Sequence, residues 1–177
     1  MILVAEEGIA HLPTSEKLIT TPTDAAYKGI SVNTSNVCAV SIIRAGDSLL
    51  EAVRACEPQV SVGKILIQRD ESTVEKTPVL SYVKLPPGIG GMDVLLCDPM
   101  LATGGSAILA IRALVDAGVD TKRIVFINVI SCPEGLEALE STFPEVKVVT
   151  GHIDDCLNDD KFILPGLGDF GDRYFGT

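Results

Sequence analysis

Asp98-Pro99-Met100-Leu101-Ala102-Thr103-Gly104-Gly105-Ser106 brings a carboxylate, two glycines and two hydroxyls into one short run. The apolar stretch Asp93-Val94-Leu95-Leu96-Cys97 before it reads as a buried strand, and the stretch from Ala107 to Val115 after it reads as a helix. Glycines let backbone N–H groups converge on an anion at a helix amino terminus, and the hydroxyls of Thr103 and Ser106 add donors. A monophosphate suits such a loop. Asp98, at the strand end, is an acceptor-only group matched to two adjacent sugar hydroxyls. Position alone leaves a second reading of each: the glycines as a tight connection, the carboxylate as a turn or helix cap. The loop is not a Walker A motif, because Ser106 rather than Lys follows Gly105, and it does not match G-x-G-x-x-G.

Three other strand ends carry polar groups. Arg44-Ala45-Gly46 follows "VSII", and Arg69-Asp70-Glu71 follows "ILIQ". Arginine offers a planar fork of donors, so two of them at neighbouring strand ends could grip a pyrophosphate; each alone is more often a surface ion pair. The segment "FILPGLGDFGDR", residues 162–173, combines glycines, a proline and acids. Its backbone could approach a flat ring closely and read its donors and acceptors, or it could be a turn-rich tail packed on the sheet.

The elements that would hold these groups alternate. Residues from Met1 to about Leu12 read as an amphipathic helix, and "KLITTPT" and "YKGISV" as a β-hairpin or arm. From Val37 onward come "VCAVSII", a helix from Asp47 to Cys56, "KILIQ", "VLLCD", the helix after Ser106, "RIVFINVI", "PEGLEALESTF" and "VKVVTGHI". Strands so continuously apolar are covered on both faces, and alternation with helices implies right-handed crossovers in a parallel sheet. The expected class is α/β, doubly wound, with "LSYVKL" at 80–85 as an antiparallel edge or flap. Ligands of open α/β sheets bind beyond the carboxyl ends of the strands, where all four polar places lie.

With 177 residues, 46% of them hydrophobic, the chain is expected to form one domain, 1–177. A net charge of −10 argues against binding long nucleic acid backbones. Five dispersed cysteines without a C-x-x-C pair suggest neither a zinc site nor a disulfide framework. No apolar stretch is long enough for a membrane span, and no signal peptide is evident, so a reduced, cytoplasmic setting is expected.

In this order, "SIIRAG", "GKILIQRDE", "DPMLATGGSA" and "FILPGLGDFGDRYFG" resemble the pyrophosphate, flexible-loop, ribose-phosphate and uracil segments of the uracil phosphoribosyltransferase family. "EEGIAHLP" with "TTPT" resembles the amino-terminal part of its eukaryotic members, and the phosphoribosyltransferase domain of uridine kinase fusions is similar too. The resemblance implies a type I phosphoribosyltransferase fold and transfer of a 5-phosphoribosyl group from 5-phosphoribosyl 1-pyrophosphate (PRPP) to uracil, giving UMP and pyrophosphate, with Mg2+. Carried over by position, Arg44, Ala45, Gly46 and Arg69 would bind pyrophosphate, and Asp98 the ribose hydroxyls. Thr103, Gly104, Gly105 and Ser106 would take the 5′-phosphate, with Pro99, Met100, Leu101 and Ala102 completing the donor site. Ile163, Gly168, Asp169 and Phe170 would hold uracil, with Asp169 also near the donor or its metal. Asp98, Arg44, Arg69 and Asp169 are the residues expected to carry catalysis. The resemblance further implies a cis peptide at Arg44–Ala45, a homodimer or homotetramer, and GTP as a candidate effector.

Two departures matter. Asp98-Pro99 and Ala102 stand where many phosphoribosyltransferases carry further acids, a pattern that favours the uracil branch over the purine and orotate branches. Family members carry several tens of residues ahead of "EEG", whereas Met1 here falls inside that helix, as expected of a trimmed, naturally short or fusion-derived chain. A non-catalytic ligand-binding domain is the rival reading. It predicts damage in the loop or uracil segment, and Asp98, Thr103, Gly104, Ser106, Gly168 and Asp169 are all in place.

Overall fold

The computed structural model describes residues 1–69 and 78–177. Helix α1 (Ile2–Ala10) seats Ala5 and Gly8 against the sheet, so closely that a Cβ on Gly8 would lie 2.6 Å from Ile127. Strands β1 (Thr14–Thr20) and β2 (Ala26–Val32) then form the expected antiparallel arm, in register from Thr14↔Val32 to Thr20↔Ala26.

The sheet begins with β3 (Val37–Ile43), followed by α2 (Asp47–Cys56) and β4 (Ser61–Arg69). β5 (Pro78–Lys84) runs antiparallel to β4, the edge piece expected from the sequence. Next come β6 (Asp93–Cys97), the two-residue β7 (Met100–Leu101), α3 (Gly105–Asp116), β8 (Ile124–Ser131), α4 (Pro133–Thr142) and β9 (Lys147–Ile153). β3 pairs in parallel with β4 and β6, and β8 with β6, β7 and β9. β10 (Cys156–Leu157) and β11 (Ile163–Leu164) make a small hairpin ahead of α5 (Phe170–Phe175).

Two cores explain why the central strands are apolar at nearly every position, Ser41, Asn128 and Ser131 being among the exceptions. On one face Val40, Ile42, Leu96 and Phe126 meet Ala110, Ile111 and Leu114 of α3 and Leu139 of α4. On the other, Ala39, Leu95 and Ile127 meet Ala5 of α1 and Leu49 and Val53 of α2. Side chains alternate across a strand, so a sheet covered on both sides needs an apolar residue at each step. Among the described residues no helix is long and apolar enough to cross a membrane.

A non-proline cis peptide does occur beside Arg44, but at Ile43–Arg44 rather than at Arg44–Ala45. The sequence locates the turn; the tight return of Gly46 N–H to the Ile42 carbonyl at 2.9 Å belongs to its three-dimensional course. A second cis bond, Leu164–Pro165, lies in the late glycine-rich segment.

Candidate active site

A cleft of about 210 Å³ opens at the carboxyl ends of the parallel strands. Its floor and one wall are Asp98 and the run from Met100 to Ala107; the opposite wall is Ile163 with Gly168, Asp169, Phe170 and Gly171. Ala45 lies between them. Ala45, Asp98 and the glycine loop meet here because each follows a parallel strand and these strands end on the same side, while Ile163 and Gly168–Gly171 are brought in by the antiparallel β10–β11 hairpin and the segment after it.

The glycine loop leads directly into α3. Gly104 is the residue before the helix, at φ +81°, a left-handed conformation open to glycine at no steric cost. With that turn made, the first N–H groups of a twelve-residue helix face the cleft with no intrahelical partner, the arrangement that favours an anion. The loop is braced from behind by α4. Cys132 donates its backbone N–H to the Leu101 carbonyl at 3.3 Å and its thiol to the Ala102 carbonyl at 3.2 Å. Gly135 packs so closely that a Cβ there would meet the carbonyl oxygens of Ala102 and Leu101.

Asp98 follows β6, with its backbone N–H donated to Ile127 at 3.3 Å. Burial pushes its carboxyl up from 3.8 to about 7, against the opposing pull of a hydrogen bond from the Met100 N–H. It lies past the strand, rather than in a helix turn, and lines the cleft. Pro99 does not line the cleft; its carbonyl accepts the N–H groups of Val129 and Ile130 at 2.9 and 3.1 Å, locking the loop to β8.

Gly46 also stands outside the cleft and serves the turn: a Cβ there would collide with the Cys97 carbonyl and approach the Ile42 carbonyl at 2.7 Å. Asp47 below it accepts from Ser41 Oγ at 2.5 Å and pairs with Lys64, so the base of this turn is tied to β3 and β4. Arg44 is held by α5 and the last residue of the chain. Its Nη2 pairs with Asp172 Oδ1 at 2.8 Å, its Nη1 donates to Thr177 Oγ1 at 3.1 Å, and its guanidinium lies 5.2 Å from the centre of the Phe175 ring. Arg69 ends β4 opposite Pro78, whose ring lies 3.2 Å from where a Cβ on Gly105 would sit, so this strand end borders the glycine loop. The Arg69 side chain, and Asp70 and Glu71, lie outside the described residues.

The late segment is a built wall. Asp169 caps α5, its Oδ1 accepting the Asp172 N–H at 2.9 Å, and Phe170 stacks on Tyr174 with ring centres 5.5 Å apart. Sequence reasoning missed Asp160 and Lys161, which line the cleft from the tip of the β10–β11 hairpin together with Phe162, the first residue of the late segment. The acidic pair Asp159-Asp160 before Lys161 was the available signal of that turn. Lys161 adopts φ +65° there, and Phe162 N–H donates to Asn158 Oδ1 at 2.8 Å.

The uracil phosphoribosyltransferase family model matches residues 1–177, the whole chain. The chain belongs to the uracil phosphoribosyltransferase family. Uracil phosphoribosyltransferase 1 of Schizosaccharomyces pombe is 50% identical over 175 residues, 99% of this chain and 78% of that protein. Uridine kinase-like protein 3 of Arabidopsis thaliana is 46% identical over 99% of this chain but only 37% of its own length. Among solved structures, the AQ2163 protein from Aquifex aeolicus superposes with a TM-score of 0.86 at 32% identity, covering 99% of this chain and 82% of that one. The fold is of the type I phosphoribosyltransferase kind. As a uracil phosphoribosyltransferase, the enzyme is a pentosyltransferase of pyrimidine salvage that joins uracil to the phosphoribosyl group of PRPP, giving UMP and pyrophosphate.

Proposed function

We propose that the cleft divides this uracil phosphoribosyltransferase reaction among three surfaces. The observation that carries the division is the convergence of Asp98, the Thr103–Ser106 loop and the Ile163–Phe170 segment on one cavity. Thr103, Gly104, Gly105 and Ser106 hold the donor's 5′-phosphate at the amino end of α3. Asp98 accepts the ribose hydroxyls. Ile163, Gly168, Asp169 and Phe170 hold uracil, with exposed backbone groups reading its edge and Phe170 supplying an apolar face.

As the bond from C1′ to pyrophosphate breaks, uracil N1 bonds to C1′ and the N1 proton leaves with pyrophosphate or water. Negative charge grows on the leaving group and positive charge on the ribose ring. Fixed N–H dipoles and cations therefore favour the transition state over the bound donor, and holding N1 in line with C1′ supplies the rest. Arg44, at the mouth beside Ala45, reaches the pyrophosphate by exchanging its Asp172 partner for it.

Among the described residues no group of three or more His, Cys, Asp or Glu side chains is placed to hold a metal. One or two carboxylates plus substrate phosphate oxygens suit magnesium, which keeps several waters and rarely has an all-protein cage. Asp169 and Asp98 would complete its coordination when it arrives with PRPP, and the cation would neutralise charge on the departing pyrophosphate. The enzyme works as a homodimer or homotetramer in the cytoplasm, and GTP is a candidate effector.

The test is pyrophosphate release from PRPP and magnesium, with and without uracil. Uracil-dependent release supports the assignment, whereas a folded chain that binds PRPP without releasing pyrophosphate would make it a binding domain. Titration with uracil, cytosine and hypoxanthine tests the base, since a site that hydrogen-bonds one specific edge rejects the wrong one by a large factor.

A further inference from the structure

Asp154, just beyond β9, is an acid with only 7% of its surface exposed, and no step of the transfer uses it. Burying a carboxylate is costly unless its oxygens are hydrogen-bonded, so its partners indicate what it does. Its Oδ2 accepts the backbone N–H of Gly166 at 3.0 Å. Its own N–H is donated to the Ser131 carbonyl at 2.8 Å, and the next N–H, of Asp155, to the Leu164 carbonyl at 2.9 Å. His152 Nε2 stands 3.4 Å from the other carboxylate oxygen and is largely exposed.

Both ends of this arrangement are rigid. Behind Asp154, the Thr150 hydroxyl donates to Asn128 Oδ1 at 2.6 Å and lies 3.1 Å from the Ser131 hydroxyl, cross-linking the ends of β8 and β9. Ahead of it, Gly166 turns at φ +58° so tightly that a Cβ would run into the Ile163 carbonyl. The two sides of that turn are Ile163, 3% exposed, and Gly168, both lining the cleft. The glycine loop and Asp98 are held to α4 and β8 by bonds in which the Asp154 carboxylate takes no part.

We infer that Asp154 is a positioning residue for the base subsite: its carboxylate pins the Ile163–Gly168 turn to the end of the central sheet and so sets where uracil N1 meets C1′. This rests on the reading that Ile163–Phe170 holds the base. Losing the pin lets the turn drift, and a displacement of about 1 Å near a reacting atom is enough to cost up to about 100-fold in rate. Because substitution of the side chain leaves the backbone bonds of the donor loop to β8 intact, the effect falls on uracil and not on PRPP.

The experiment is steady-state kinetics of the full chain with Asp154→Ala, Asp154→Asn and Gly168→Val, each with its melting temperature. Asp154→Ala should raise the KM for uracil about tenfold, with the KM for PRPP within about twofold of wild type. Asp154→Asn, whose amide oxygen still reaches Gly166, should recover most of that loss. Should Asp154→Ala fail to fold, Asp154→Ser, too short to reach Gly166, takes its place and the same split decides. Equal rises in both KM values, no rise in either, or no rescue by Asn would overturn the inference. Gly168→Val separates the two layers of the argument. If it raises the uracil KM while Asp154→Ala does not, the positioning role fails and the base assignment stands; if it leaves the uracil KM unchanged, the base assignment fails and takes the inference with it.

Discussion

Asp98→Asn should slow the transfer and, above neutral pH, make the fold more stable. The Asp98 carboxyl is pushed from 3.8 to about 7 by burial, so the native state favours the protonated acid. Stability from that neutral form is fully present below about pH 4 and is lost as pH rises towards 7, because over that interval the native chain binds more protons than the unfolded one. A shift of about three units corresponds to about 4 kcal/mol as an upper figure. The cleft is open to water, which screens the charge and brings the expected difference to about 2 kcal/mol. For a chain of this length that is a rise of about 4–8 °C in Tm. Asn keeps the shape without the charge, so the gap between variant and wild type should be small at pH 4 and largest at pH 8. Thermal unfolding across pH measures it, alongside turnover. In wild type, kcat/KM for PRPP should climb through about pH 7 as the carboxylate ionises. A Tm gap that does not change with pH, or wild-type turnover in the variant, would refute the reasoning.

Three further outcomes follow from the geometry. Gly46→Ala should cost about 3 kcal/mol or more in urea unfolding, because its Cβ would meet the Cys97 and Ile42 carbonyls, which are backbone and cannot rotate away. Asp172→Asn removes the acid that competes with pyrophosphate for Arg44, so the KM for PRPP should fall by about threefold in the pyrophosphate-release assay. A thiol reagent at pH 8 should label the exposed Cys156 first. Cys38, whose thiol burial pushes up to about 12, and the fully buried Cys97, raised by the same cause, should react only on unfolding, as mass spectrometry of the labelled chain would show.

Much of the architecture was legible in the order of residues because it depends on local periodicity. The helix Asp47–Cys56 has the limits expected from the sequence, and the arm and the antiparallel edge at β5 form as expected, although β1 begins at Thr14, ahead of its expected run, and Thr21–Thr23 fall in the turn. Two-residue strands were not legible. β7, β10 and β11 are too short to show a period and exist only through their partners, β8 for the first and each other for the remaining two. The site divides in the same way. Asp98, Gly104 and Gly168 announce themselves by type and place, whereas Asp160 and Lys161 enter the cleft because a hairpin folds back over it.

The sequence by itself determined the α/β class, the glycine loop at a strand-to-helix junction and the family, since each is written in contiguous residues or short spacings. Tertiary structure alone decided that Arg44 meets Asp172 and Phe175. It also decided that the cis bond precedes Arg44, and that Asp154 holds Gly166. These are contacts across 128 and 12 positions in the first and last case. Local propensity carries no information about such partners; they are chosen when the sheet brings its strand ends together and burial requires each polar group to find a hydrogen bond.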